Sequence, residues 1–166
     1  LPEKSQKERT RDLLKTHYDH IMEMENIEPP IDIWTFLCSD EFLGKSTDNG
    51  KAIFPVWRKT LVDTFDDMSK TTVVLTGSVR TGKSTIALYG LAYVLYRLLN
   101  LKNPFAYFSL TKSSKMAIIF FNLNKSLGGS RGYSKFQATL VDSPWFRNKA
   151  SYISETKVGE AFEFPK

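Results

Sequence analysis

Cysteine is almost missing from this 166-residue chain. The single thiol, Cys38, excludes an internal disulfide and any cysteine cluster for zinc. It adjoins the apolar stretch Ile33-Trp34-Thr35-Phe36-Leu37, where a buried, inert thiol is expected rather than a nucleophile. Histidine is nearly as scarce. His17 and His20 lie three apart without a carboxylate set of metal-ligand spacing, so they read as surface or packing residues. No apolar run reaches the length of a membrane span, and the charged N-terminus lacks the apolar core of a signal peptide. A soluble, cytosolic type of protein with no membrane partner is the expectation. The chain begins at Leu1 rather than Met, which reads as a piece of a longer protein. No internal repeat is present. The most telling scarcity is acidic: between residues 71 and 150 the only carboxylate side chain is Asp142.

What is present is an ordinary globular balance, 42% hydrophobic and 25% charged, in a length that suits one domain. The net charge of +5 is unevenly spread. Residues 1–70 carry 10 Lys and Arg against 14 Asp and Glu, whereas residues 71–166 carry 13 against 4. A basic second half suits a polyanionic partner such as DNA, or is simply a solvated lysine-rich surface.

The chain is organised around Thr76 to Thr85, which reads Thr-Gly-Ser-Val-Arg-Thr-Gly-Lys-Ser-Thr. Gly77, Gly82, Lys83 and Ser84 satisfy the pattern G-x-x-x-x-G-K-[ST]. The β-branched run Val73-Val74-Leu75 precedes it as a candidate strand, Thr72 to Thr76, and a helical pattern follows from Thr85 to Leu99. That strand–loop–helix setting makes a phosphate-binding loop the preferred reading over a chance glycine turn. Glycines let consecutive N–H groups turn toward one point, and the helix N-terminus adds its unpaired donors there. Lys83 would reach the terminal phosphates of ATP and the Ser84 hydroxyl would hold Mg²⁺, with Gly77, Ser78, Val79, Arg80, Thr81, Gly82 and Thr85 completing the cradle. The fold expected is an incomplete α/β P-loop NTPase core of the RecA/ASCE-like kind over residues 71–166. A mainly helical segment over residues 1–70 precedes it.

Leu13, Leu14, His17, Ile21 and Met24 recur at helical spacing before Pro29-Pro30. Ile31 to Leu37 reads as a short helix and Leu43 to Gly50 as a loop. A further helix carries Leu61, Val62 and Phe65 and ends near Asp67. At its start, Phe54-Pro55-Val56-Trp57-Arg58 lies roughly 20 residues ahead of the loop. Trp57 and Arg58 there could meet a nucleotide base, or Phe54 and Trp57 could be core residues. Tyr89, Tyr93 and Tyr96 form a packing stripe on the helix after the loop, which Asn100 and Asn103-Pro104 close. Phe105 to Leu110 and Met116 to Phe121 read as strands, joined too closely to be sequential parallel neighbours. Asn122 to Gly132 reads as a loop, Tyr133 to Val141 as a helix, and Ser151 to Phe164 as edge strands. A hydrolysing P-loop enzyme needs a strand-borne Asp and a neighbouring Glu. Asp142 follows only the short apolar lead Ala138-Thr139-Leu140-Val141, and Glu155, Glu160 and Glu163 follow no hydrophobic strand. The missing carboxylates are therefore expected beyond Lys166, and hydrolysis by this chain alone is expected to be weak or nil.

Gly77 to Thr85 resembles the Walker A loop of phage terminase large subunits. So does the surrounding order: Phe-Pro-x-Trp-Arg upstream, then Ile118-Ile119-Phe120-Phe121-Asn122, Lys135-Phe136-Gln137 and Ser143-Pro144-Trp145-Phe146. The resemblance runs from about Phe42 to Phe146. It implies the ATPase part of a motor that threads double-stranded DNA into a viral capsid, in the host cytoplasm. The portal protein, the small terminase subunit and a ring of like subunits are the implied partners. It also implies that Arg80 assists at the γ-phosphate, and that Arg131 or Arg147 serves a neighbouring subunit's ATP. The family's Walker B pair, coupling motif and nuclease carboxylates are not found in these residues. Two other classes fit the loop alone: a nucleoside or small-molecule kinase, and a non-catalytic nucleotide-binding module.

Overall fold

In a computed structural model, residues 21, 24–66, 70–111, 113–114, 116–119 and 132–149 are described. They are helical and turn-linked. The helices are α1 (Ile33–Cys38), α2 (Gly44–Thr47), α3 (Pro55–Phe65), α4 (Lys83–Leu99), α5 (Pro104–Tyr107), α6 (Ser134–Asp142) and α7 (Pro144–Lys149). Residues 31–96 with 117–166 form one compact unit, and residues 1–30 with 97–116 form another.

Each helix in the first unit has a local cause. Asp32 caps α1, its carboxylate accepting from the N–H groups of Trp34 (2.9 Å) and Thr35 (3.0 Å) and from the Thr35 hydroxyl (2.5 Å). Burial alone would raise the Asp32 pKa, but those hydrogen bonds together hold it below the ordinary carboxylate value. Pro55 occupies the first turn of α3, where its missing N–H costs nothing. The stretch Leu43 to Gly50 is not only loop. It holds the single turn α2, closed by Asp48 and Asn49 at positive φ.

The core is aromatic. Phe36 of α1 is fully buried, with ring centroids 5.4 Å from Phe42, 5.4 Å from Tyr93, 5.2 Å from Tyr96 and 6.3 Å from Phe146. Trp145 packs 5.0 Å from Tyr96, and Leu140 of α6 is fully buried. The tyrosine stripe of α4 is structural. The Tyr89 hydroxyl donates to the Ser46 carbonyl (3.1 Å), Tyr93 donates to Ile31 (2.8 Å), and Tyr96 accepts from the Ile31 N–H (3.0 Å). A Cβ on Gly90 would lie 2.9 Å from the Phe65 ring, so α3 rests directly on α4. In the other unit, buried Asn100 donates to the Glu28 carbonyl (2.6 Å) beside an isolated antiparallel bridge between Asn26 and Leu101.

The α/β core expected from the sequence is overturned: no sheet exists among the described residues. Thr72 to Thr76 forms no β ladder, and Val73 and Val74 are 49% and 77% exposed. A β-branched run becomes a strand only when a neighbour takes up its backbone groups, and none of the described residues does so. Phe105 lies in α5 instead of a strand. Pro104 opens that helix and Asn103 caps it by accepting from the Ala106 N–H at 3.0 Å. Residues 116–119 likewise carry no ladder, and the rest of that run, the Asn122 to Gly132 loop and the Ser151 to Phe164 tail lie outside the described residues. Among the described residues no helix is long and apolar enough to cross a membrane.

Truncation of Phe36 to Ala should lower unfolding free energy by about 3–5 kcal/mol, since it empties a site bounded by four rings. Phe54→Ala, at a side chain 60% exposed, should shift it by less than about 0.5 kcal/mol. Urea unfolding followed by circular dichroism measures both.

Candidate functional site

The glycine-rich loop is folded into a compact curl. Gly77 (φ 128°), Arg80 (φ 66°) and Gly82 (φ 84°) all take positive φ. Two of these three positions are glycine, for which the left-handed region carries no Cβ penalty. Arg80 bears the strain of a non-glycine residue there. A Cβ at Gly77 would meet nothing within 4 Å, so the mouth of the curl is open at that point.

The curl runs straight into α4. The first helical bond is from Ile86 N–H to the Gly82 carbonyl at 3.0 Å. The N–H groups of Lys83, Ser84 and Thr85 therefore precede the helical ladder and have no intrahelical acceptor. They sit at the positive end of a 17-residue helix, and the Ser84 and Thr85 side chains are exposed.

Lys83 turns back over the loop. Its ammonium donates to the carbonyls of Gly77 (2.8 Å) and Ser78, and lies 3.3 Å from the Thr81 hydroxyl. The Thr81 hydroxyl in turn donates to the Ser78 carbonyl at 3.0 Å. The loop thus keeps a cation at its opening, held by neutral acceptors. An anion at the same place would compete for that ammonium with the advantage of charge.

Beside the curl is an open depression of about 410 Å³. Phe54, Val56 and Trp57 form one wall, and Thr76, Gly77, Arg80 and Thr81 the other. The indole N–H of Trp57 donates to the Thr81 carbonyl at 2.7 Å, so this ring is tied to the loop. Phe54 is not a core residue: it precedes Pro55, at the N-terminal cap of α3, and is largely exposed. Val79 is 87% exposed at the tip of the loop.

The sequence-selected residues divide accordingly. Gly77 to Thr85 and Trp57 come together. Arg58 does not line the depression. Its guanidinium lies 4.3 Å over the Trp34 ring, on another part of the same unit. Arg58 also tempers the thiol of half-buried Cys38, which burial pushes above its ordinary value and Asp32 pushes further up, leaving it protonated at neutral pH. Asp142 is exposed at the end of α6, a helix and not a strand. Arg147 is exposed on α7, and Arg131 lies outside the described residues. The sequence reading missed two things: the Trp57–Thr81 bond and the part played by Val56. The first has no local signal, because the partners are 24 residues apart. The second has no signal in helical spacing, since adjacent residues such as Val56 and Trp57 do not share a helix face.

Comparison with known protein families, characterised proteins and solved structures finds no match to this chain.

Because Arg58 is spent on Trp34, Arg58→Ala should cost about 0.5–1 kcal/mol of stability, the usual worth of an exposed cation–π contact. Urea unfolding of the variant beside Trp34→Phe and the double variant would show the two losses to be non-additive.

Proposed function

We propose that this chain binds the polyphosphate of ATP at the Gly77–Thr85 loop, as the nucleotide-handling part of a DNA-translocating motor of the terminase large-subunit kind. The observation that carries the reading is the curl itself. Positive φ at Gly77, Arg80 and Gly82 turns the loop in front of three unpaired amides at the head of α4, with the Lys83 ammonium at its mouth. A polyphosphate is the common cellular ligand that offers charge and several acceptors to such a group of donors. Lys83 would hold the terminal phosphoryl oxygens, Arg80 would add a second positive charge, and the amides of Gly82 to Ser84 would surround the β-phosphate. The exposed Ser84 hydroxyl would hold Mg²⁺, whose chemistry is to neutralise charge on the phosphoryl groups. The open space at Gly77 leaves room for the phosphate chain.

The motor half of the proposal rests on the resemblance and on charge. Residues 71–166 carry 13 Lys and Arg against 4 acidic residues, which suits contact with the phosphates of double-stranded DNA. Portal protein, small terminase subunit, a ring of like subunits and a site in the host cytoplasm follow from the same resemblance. ATP hydrolysis would also need a carboxylate pair beside the phosphates, and among the described residues no carboxylate lines the depression next to the loop.

Isothermal titration with MgATP and with magnesium tripolyphosphate tests the reading. One saturable site is expected, and Lys83→Ala should weaken it about tenfold to a hundredfold, the loss of a charge-assisted hydrogen bond. Equal affinity in the Lys83→Ala chain, or no binding by the unaltered chain at millimolar ligand, would overturn it.

A further inference from the structure

Trp57 lies ahead of the loop and bears an aromatic ring, which invites a role under a nucleotide base. The geometry points to a different one. We propose that Trp57 is a positioning residue that latches the phosphate loop in its curled state through the indole N–H. This rests on the reading that the loop binds phosphate.

The anchor is α3. Its C-terminal end is fixed on α4, because Phe65 sits against Gly90 and 5.5 Å from the Tyr93 ring. Its N-terminal end carries Trp57, eight residues earlier and about 12 Å along the axis. There the indole Nε1 meets the Thr81 carbonyl at 2.7 Å, the single side-chain hydrogen bond that ties α3 to the loop among the described residues. The same nitrogen is 3.7 Å from where a Cβ on Gly82 would lie, so the ring edge abuts the residue that opens α4. Thr81 is the hub of the curl, since its hydroxyl holds the Ser78 carbonyl and faces the Lys83 ammonium. Holding the Thr81 carbonyl therefore fixes the peptide plane between Thr81 and Gly82. That peptide supplies the Gly82 N–H, which the proposed site aims at phosphate. The loop is otherwise exposed and contributes little buried surface of its own, so one tether to a rigid helix decides how often it is curled. A ligand that needs the curled loop binds in proportion to that population.

A base-stacking role and a latch make opposite statements about a ligand with no base. The test is titration of the 166-residue chain with magnesium tripolyphosphate and with MgATP, before and after Trp57→Phe. The latch predicts a loss of about threefold to tenfold, equal for both ligands, with the unfolding midpoint little changed. Unchanged tripolyphosphate affinity, with or without a loss for ATP, would overturn the latch and return the ring to the base. No binding of either ligand by the unaltered chain would instead remove the phosphate reading, and the latch with it. Should Phe leave a gap that disturbs folding, benzothienylalanine at position 57 keeps the bicyclic shape and deletes only the N–H. It should reproduce the loss. In the unaltered chain, the indole ¹H–¹⁵N resonance that Trp57→Phe removes should shift on adding tripolyphosphate, and an unmoved resonance counts against the proposal.

Discussion

The packing of α4 on α1 governs the rest of this molecule. Phe36 gathers Tyr93 and Tyr96 around one fully buried ring, while Tyr93 and Tyr96 also close hydrogen bonds to the backbone of Ile31. Tyr89, one turn closer to the loop, is pinned to the Ser46 carbonyl. A helix held at three successive turns cannot rotate or slide without breaking both ring packing and hydrogen bonds. Its N-terminus, with its unpaired amides and positive end, is consequently a fixed point in space. The loop before it has no such support and depends on what it can reach from there.

Two kinds of force act on that loop. Its backbone is bent into a curl by glycine at Gly77 and Gly82 and by the strained Arg80. Its charge is organised by Lys83, which neutral carbonyls hold at the opening. Neutral acceptors on an ammonium are easily outdone by phosphate oxygens, so the arrangement favours exchange of one set of partners for the other. Conventional phosphate loops hang between a strand and a helix. Here the helix side is rigid, the preceding residues 72–76 form no ladder, and a tryptophan from α3 takes up part of the anchoring.

Helices α1, α3, α4 and α6 were legible because their causes are local. Asp32 ahead of an apolar turn, Pro55 at the start of α3, and the dense apolar pattern from Ile86 to Leu99 each act within a few residues. The curl of the glycine-rich loop was legible for the same reason, since the spacing of Gly77 and Gly82 permits the positive φ values found there. The strands were misread because a strand's cause is distant. Val73-Val74-Leu75 and Phe105 to Leu110 have β composition, yet a ladder needs a partner, and for Phe105 a proline and an asparagine cap chose helix first. Arg58 was misplaced by the same blindness: nothing near it in sequence announces Trp34 as its neighbour.

The account's central claim is that the amides from Gly82 to Ser84 converge on a phosphate group. Backbone ¹H–¹⁵N resonances of the isotopically labelled chain, followed as tripolyphosphate is added, measure this most directly. The account predicts that the Gly82, Lys83 and Ser84 amides move furthest, together, and saturate at one concentration. Shifts scattered over exposed lysines, with those three amides unmoved, would contradict it.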